Sequence, residues 1–186
     1  MKIAEIKKHS LIYGFESAFV IWTQGCPLHC KGCSNRDTWD IEGGFTLSVD
    51  EILSQIQAQI LESNIKCVTI LGGEPFMQYE ELCELVYRIR GLGLAIILYS
   101  GYEIEELRSL NKDSIFSQID VLISGRYIES MRDITLHLRG SSNQTITFFS
   151  DKYNTSMIKD GNYCEIEIDE LGQISLFGYP DTFLEK

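Results

Sequence analysis

Gly25-Cys26-Pro27-Leu28-His29-Cys30-Lys31-Gly32-Cys33-Ser34-Asn35 sets three cysteines in C-x3-C-x2-C spacing on a loop that also carries proline and glycine. Thiolates this close can all turn toward one centre, as a metal ion or an iron–sulfur cluster requires. Three is the informative count: a closed structural site wants four protein ligands, so three leave one position for something that is not protein. Just before the loop, Ser17-Ala18-Phe19-Val20-Ile21-Trp22-Thr23 is an apolar run of strand length, which places the cysteines at a strand's C-terminal end.

Downstream the same unit repeats. Ser48 and Glu51 form the ends of a capping box, and Ile52, Leu53, Ile56, Ile60 and Leu61 recur at helical spacing, predicting a helix to about residue 63. A short buried-type strand over 66–71 ends in Gly72-Gly73-Glu74-Pro75. Leu82, Leu85, Val86 and Ile89 mark a second helix over about 79–90, stopped by Gly91 and Gly93. A strand over 94–99 ends in Ser100-Gly101-Tyr102, a short helix covers 104–110, and a strand over 119–123 ends in Ser124-Gly125-Arg126-Tyr127. One more strand is expected over 144–149. Strand, loop and helix alternating with short links favour a parallel sheet whose right-handed crossovers bring all the strand C-termini to one rim. The cysteine loop, the Gly-Gly-Glu-Pro turn, Ser100-Gly101-Tyr102 and Ser124-Gly125 then share that rim, where α/β proteins place their active sites.

At either end the pattern changes. Ile3, Ile6, Leu11 and Ile12 are compatible with a short strand or hairpin. Beyond Asp151, Tyr163-Cys164-Glu165-Ile166-Glu167-Ile168-Asp169 alternates with period two, Glu170-Leu171-Gly172 is turn-like and 173–177 alternates again: an antiparallel hairpin. It is a plain structural hairpin, an added edge of the sheet, or a ribbon for docking a partner.

The 186 residues, 44% hydrophobic, suffice for a substantial core and read as one domain. A formal charge of -11 argues against direct nucleic-acid binding, which draws on clustered Lys and Arg. No apolar run approaches the roughly 18 residues of a membrane span, and the opening lacks a signal-peptide pattern, so a cytoplasmic protein with no membrane partner is expected. Cys67, Cys83 and Cys164 stand apart in apolar or strand-like settings and are expected to be buried thiols.

Cys26-x3-Cys30-x2-Cys33 followed by Gly72-Gly73-Glu74-Pro75 resembles the radical S-adenosylmethionine (SAM) superfamily. More narrowly, His29, Gly32, Asn35, Thr38-Trp39, Tyr99-x-Gly101-Tyr102, Asp120-Val121-Leu122-Ile123 and Arg139-Gly140-Ser141-Ser142-Asn143-Gln144 resemble the activating proteins of anaerobic (class III) ribonucleotide reductase and, more distantly, the pyruvate formate-lyase activating enzymes. The resemblance covers about 17–149, leaving an extension over about 150–186. With the alternation above, it implies an α/β fold: a partial (β/α) barrel, a parallel sheet with outer helices, plus the C-terminal antiparallel hairpin.

The resemblance implies a 4Fe-4S cluster on Cys26, Cys30 and Cys33, with SAM on the open iron. Gly72, Gly73 and Glu74 would hold the methionyl end, and Tyr99, Ser100, Ser124 and Asn143 are further cofactor contacts on neighbouring strand ends. It implies reductive cleavage of SAM to a 5′-deoxyadenosyl radical that makes a glycyl radical on a partner enzyme. It further implies a flavodoxin- or ferredoxin-type reductant. Another protein, peptide or small molecule is the alternative substrate, because Tyr13-Gly14-Phe15-Glu16-Ser17-Ala18 stands where glycyl-radical activases carry Asp-Gly-Pro-Gly-x-Arg.

The rival for the cysteines is zinc, completed by His29 or a distant cysteine, but structural zinc gives no reason for Gly-Gly-Glu-Pro at a strand end. A non-catalytic cluster-binding module is the remaining rival. His9 and His137 read as surface or packing residues, Trp39 as a wall of the cluster pocket, and Tyr102 as rim packing or a site residue.

Overall fold

The computed structural model describes residues 1–161, 163–168 and 170–178. The apolar run before the cysteines is β2 (Ala18–Thr23), buried at every residue. Further along lie β4 (Cys67–Gly72), β5 (Ala95–Ser100) and β6 (Val121–Ser124), each a run of mostly buried residues. Strands covered on both faces need apolar residues at consecutive positions rather than alternate ones. All four run parallel, with Thr23 opposite Gly72 and Ser100 opposite Ser124, so their C-terminal ends form one rim.

Outside this centre the strands are antiparallel. β1 (Lys2–Ser10) lies between β2 and the two-residue β3 (Phe45–Thr46), and β7 (Thr145–Phe148) pairs with β6, giving the order β3-β1-β2-β4-β5-β6-β7. The sheet is thus mostly parallel at its centre and mixed at its edges. No helix crosses over between β1 and β2, and only a short 3-10 turn (Glu129–Met131) lies between β6 and β7, so the chain reverses there instead of crossing over. Because β7 runs backward, Thr145 sits beside Ser124 and the preceding Arg139–Gln144 stretch reaches the same rim.

The crossovers carry α1 (Val49–Ser63), α2 (Tyr79–Gly91) and α3 (Ile104–Ser109). The expected capping box is present: Glu51 N donates to Ser48 Oγ at 3.2 Å and Ser48 N to Glu51 Oε2 at 2.7 Å. The helix ends at Asn64 in the left-handed conformation (φ 50°). Ile52, Ile56, Leu82, Leu85 and Ile89 pack fully buried against Phe19, Ile21, Val68, Ile70, Ile96 and Leu98. Each such side chain contributes about 1.5–3 kcal/mol by leaving water.

Among the described residues no α-helix covers the opposite face. Val20, Trp22, Leu71, Ile97 and Ile123 are capped by irregular chain bearing Tyr13, Phe15, Leu138 and Tyr153, with Phe15 stacked on Tyr153 at 4.8 Å. Cys67 is buried in this layer and His137 packs edge-on against Phe15. Burial of the thiols holds for Cys67 alone: Cys83 is half-buried on α2 and Cys164 is exposed, because strand alternation turns it to the outer side of its ribbon.

That ribbon is the expected hairpin, β8 (Cys164–Ile168) with β9 (Ile174–Gly178), Ile166 opposite Leu176. It is a separate two-stranded sheet, not an added edge of the large one. Phe177 seats it beside Trp22, and Gly178 N donates to Tyr13 Oη at 2.8 Å. Among the described residues no helix is long and apolar enough to cross a membrane.

Candidate cluster and cofactor site

The chain leaves β2 through Gly25 (φ 93°) and closes the cysteine loop on itself: Gly25 N donates to Thr38 O at 2.8 Å and Cys26 N to Trp39 O at 3.2 Å. Inside the loop, His29 (φ 46°) and Gly32 (φ 77°) supply the reversals that turn successive cysteines the same way. Cys33 N donates to Cys30 O at 3.1 Å and Asn35 N to Cys33 Sγ at 3.4 Å. Cys26 is buried and Cys30 and Cys33 half-buried, all three as free thiols. Burial pushes the Cys26 and Cys30 thiols up, opposed at Cys30 chiefly by the Tyr127 N–H.

The Gly-Gly-Glu-Pro turn docks directly onto this loop. Gly73 N donates to Thr23 O and Glu74 N to Gly25 O, both at 2.8 Å. Gly72 has φ 111°, and a Cβ on it would lie 2.5 Å from Thr23 N; one on Gly73 would overlap the Gly25 carbonyl. The two glycines are therefore demanded by the junction between turn and loop.

Glu74 has no solvent exposure. Its Oε1 accepts from Phe76 N at 3.1 Å and Ser100 Oγ at 3.0 Å, and its Oε2 from Gly101 N at 2.7 Å. Burial raises its carboxyl to about 7, against the pull of those three donors and of Lys112. A carboxylate offers about four lone-pair positions, so one remains for a further donor.

Cys26, Cys30, Cys33, Gly72, Gly73, Glu74, Tyr99, Ser100 and Trp39 line one cavity of about 100 Å³. Tyr99 Oη donates to Leu138 O at 2.9 Å, so its ring edges the cavity with the hydroxyl turned away. Ser100 faces Glu74 and acts as a support for it. Ser124 is not in the lining; its hydroxyl meets Thr145 Oγ1 at 2.9 Å across the seam of β6 and β7. Asn143 also stands behind the wall, donating from Nδ2 to Arg126 O at 2.8 Å, while its neighbour Gln144 reaches the cavity.

Further residues at or near the cavity are not singled out by motif as cofactor contacts, although Asn35 and Gln144 belong to the stretches that carry the resemblance. Leu28, at the tip of the cysteine loop, lies so close over Gly101 that any side chain there would collide with it. Asn35 Nδ2 donates to Gly72 O at 3.4 Å, and Gln144 Nε2 to Gly125 O at 3.0 Å. Arg126 forms a double ion pair with Glu106 at 2.7 and 2.9 Å and lies over the Tyr102 ring, setting a positive charge near Cys30. Leu28 and Arg126 are signalled only by their places on the cysteine loop and at the end of β6.

The three cysteines that line one cavity with the glycine-rich turn could hold a cluster and leave one iron for a further ligand. Among the described residues, no three His, Cys, Asp or Glu side chains converge on one ion position. In a cluster each thiolate takes its own iron, so wider spacing is what it needs. His29 is exposed, rests against Trp39 at 4.8 Å and is outside the cavity lining, so it offers no fourth ligand.

A larger open groove, about 710 Å³, adjoins the cavity and shares Cys33, Asn35 and Tyr127 with it. Tyr13, Trp22 and Phe177 form its apolar wall, and Arg36, Arg132, Glu5 and Glu129 its charged margin.

A mostly parallel α/β sheet with three thiols and a glycine-rich turn at its rim defines an iron–sulfur protein with an open coordination position. A family model described as "4Fe-4S single cluster domain" matches residues 13–147. The chain is 32% identical over 145 residues to an anaerobic ribonucleoside-triphosphate reductase-activating protein of Haemophilus influenzae, spanning 75% of this chain and 92% of that one. Proteins of the same name from Escherichia coli K12 (29%, 73% and 91%) and phage T4 (30%, 68% and 81%) are similar in extent. The chain belongs to this 4Fe-4S single cluster domain family, in its radical SAM activase branch, whose cofactors are a 4Fe-4S cluster and SAM.

Proposed function

We propose that this radical SAM enzyme creates a glycyl radical on an anaerobic ribonucleotide reductase, the partner that its relatives' names state for them. The observation that carries the reading is the single cavity on which Cys26, Cys30 and Cys33 face Gly72, Gly73 and Glu74. Bound there, a reduced cluster with SAM supplies one-electron cleavage to methionine and a 5′-deoxyadenosyl radical, which removes hydrogen from a glycine Cα.

The chain's own residues bind, orient and exclude water. Cys26, Cys30 and Cys33 would hold the cluster as thiolates; coordination would remove the protons that burial favours on Cys26 and Cys30. Gly72 and Gly73 let backbone approach the methionyl end, and the free lone pair of Glu74 accepts from its ammonium. Tyr99 and Trp39 wall the cavity, Ser100 fixes the Glu74 carboxylate, and Ser124 and Asn143 hold the wall from behind. The groove beside Cys33 admits an extended polypeptide carrying the glycine, and a flavodoxin- or ferredoxin-type protein delivers the electron.

The test is anaerobic reconstitution followed by dithionite, SAM and the reductase. Release of 5′-deoxyadenosine and a glycyl-radical doublet in electron paramagnetic resonance are expected. Full cluster content without deoxyadenosine release would sink the catalytic reading; release without the doublet would sink the choice of partner.

A further inference from the structure

The β8–β9 hairpin is built inside out. Its charged side faces the body: Lys7, almost wholly buried, pairs with Glu165 and Glu167, Ser10 Oγ donates to Glu165 Oε2 at 2.9 Å and Leu11 N to Glu165 Oε1 at 2.6 Å. Phe177, on that same side, lies beneath Lys7 Nζ at 4.0 Å and beside Trp22. Strand alternation therefore sends Ile166, Ile168, Ile174 and Leu176 outward, at 62, 68, 70 and 37% exposure. A solvated ribbon ordinarily turns its apolar side to the core and its charges to water. Among the described residues nothing covers this apolar side, and four large aliphatic side chains on one small ribbon make a contiguous patch of the kind that marks an interaction site.

The position of the patch says what covers it. Leu176, Phe177 and Gly178 are also a wall of the groove that reaches Cys33. Leu176 also stands on the outward face, directly opposite Ile166, so the apolar side of the ribbon is continuous with the groove wall. The hairpin lies outside the residues matched by the cluster-domain family. Of its anchors, Lys7 and Ser10 lie on β1 and Leu11 and Tyr13 in the link between β1 and β2; Tyr13 opens the stretch to Ala18 where the chain departs from the activase pattern.

We propose that the outward face of the hairpin is a docking surface for the glycyl-radical enzyme whose glycine segment enters the groove beside Cys33. This rests on the function proposed above. The partner contributes an apolar, uncharged patch next to its glycine-bearing segment, because a charge set against four aliphatic side chains would be desolvated without compensation.

The experiment compares the cluster-loaded full chain with its Ile166→Glu/Ile174→Glu and Ile166→Thr/Ile174→Thr variants. Threonine keeps the β-branch that suits a strand, so this variant retains the ribbon independently of the effect of glutamate on it. Two quantities are read: deoxyadenosine release with dithionite and SAM in the absence of partner, and the dissociation constant for the anaerobic ribonucleotide reductase. Release is expected to match the unsubstituted chain in both variants, while the dissociation constant rises by roughly tenfold or more with glutamate, as loss of hot-spot contacts does, and by less with threonine. An unchanged dissociation constant in both variants overturns the docking surface and leaves the cluster chemistry standing. If the unsubstituted chain sediments as a dimer that glutamate converts to monomer, with reductase binding unaltered, the face belongs to a second copy and the proposal is likewise overturned. Absence of deoxyadenosine release from the unsubstituted, cluster-loaded chain would sink the proposed function instead, and is read separately from binding.

Discussion

Gly73 and Gly25 meet backbone to backbone: a Cβ on Gly73 would overlap the Gly25 carbonyl oxygen, the same oxygen that accepts from Glu74 N at 2.8 Å. The glycine-rich turn and the cysteine loop are thus one construction. Gly73→Ala is expected to force them apart, since overpacking against backbone costs about 1–3 kcal/mol or more. Iron bound after reconstitution should fall well below that of the unsubstituted chain, together with the melting temperature. Gly91→Ala is the control. Nothing lies within 4 Å of a Cβ there and its φ is not positive, so that variant should bind iron normally and be neutral or slightly more stable.

The cysteines separate into two sets. Replacing Cys26, Cys30 or Cys33 by Ala should abolish cluster absorbance and deoxyadenosine release, whereas Cys83→Ala, on α2 and away from the cavity, should retain both. Iron and sulfide analysis with the visible spectrum checks this. Loss of the cluster in Cys83→Ala would contradict the assignment.

Glu74 gives the cluster-free protein a pH dependence with a definite sign. Its folded-state value, raised by burial to about 7, exceeds the ordinary 4.5. The neutral acid therefore stabilises the fold fully below about 4.5, and this contribution is lost as pH rises through 7, amounting to a few kcal/mol in order of magnitude. The denaturant midpoint should fall between pH 5 and 8, and Glu74→Gln should flatten that fall. The variant should also be less stable at low pH, because whichever way its amide turns, the NH2 faces a backbone N–H donor of Gly101 or Phe76.

His137 acts on the acid side. Burial, reinforced by Lys159 and Arg139, lowers its value from 6.5 to about 4. The neutral ring's contribution is present above 6.5 and lost as pH falls through 4, since the unfolded chain takes up the proton first. His137→Gln should reduce the loss of stability between pH 6.5 and 4, measured by urea unfolding, without altering cluster content.

The helices and central strands were legible because their residues obey simple periods. Ser48 and Glu51 announce α1, and Phe19–Trp22, Val68–Leu71 and Ile96–Leu98 are runs that only a doubly covered strand explains. The far face was not legible. Tyr13, Phe15, Leu138 and Tyr153 cover it from irregular chain, which has no period to read. The direction of β7 follows from the missing crossover helix, a three-dimensional fact. In the site, the cysteines and the glycine-rich turn announce themselves by spacing, whereas Ser124 and Asn143 sit at strand ends yet point to the seam and the back wall. Strand-end position places a residue at the rim without saying which side of it the side chain takes. The alternation over 163–168 shows a hairpin, but which of its two faces turns inward depends on Lys7, buried 160 positions away from Glu167.

Cys33 belongs to the cavity and to the groove alike, with Asn35 and Tyr127 beside it. Among the described residues no wall stands between the two at that point. Whatever occupies the groove is therefore also the cluster's shield, and an empty groove is an open door for dioxygen. A partner seated there as proposed would both present its glycine and cover the cluster site, so the activase is expected to keep its iron in air longest in the company of its target.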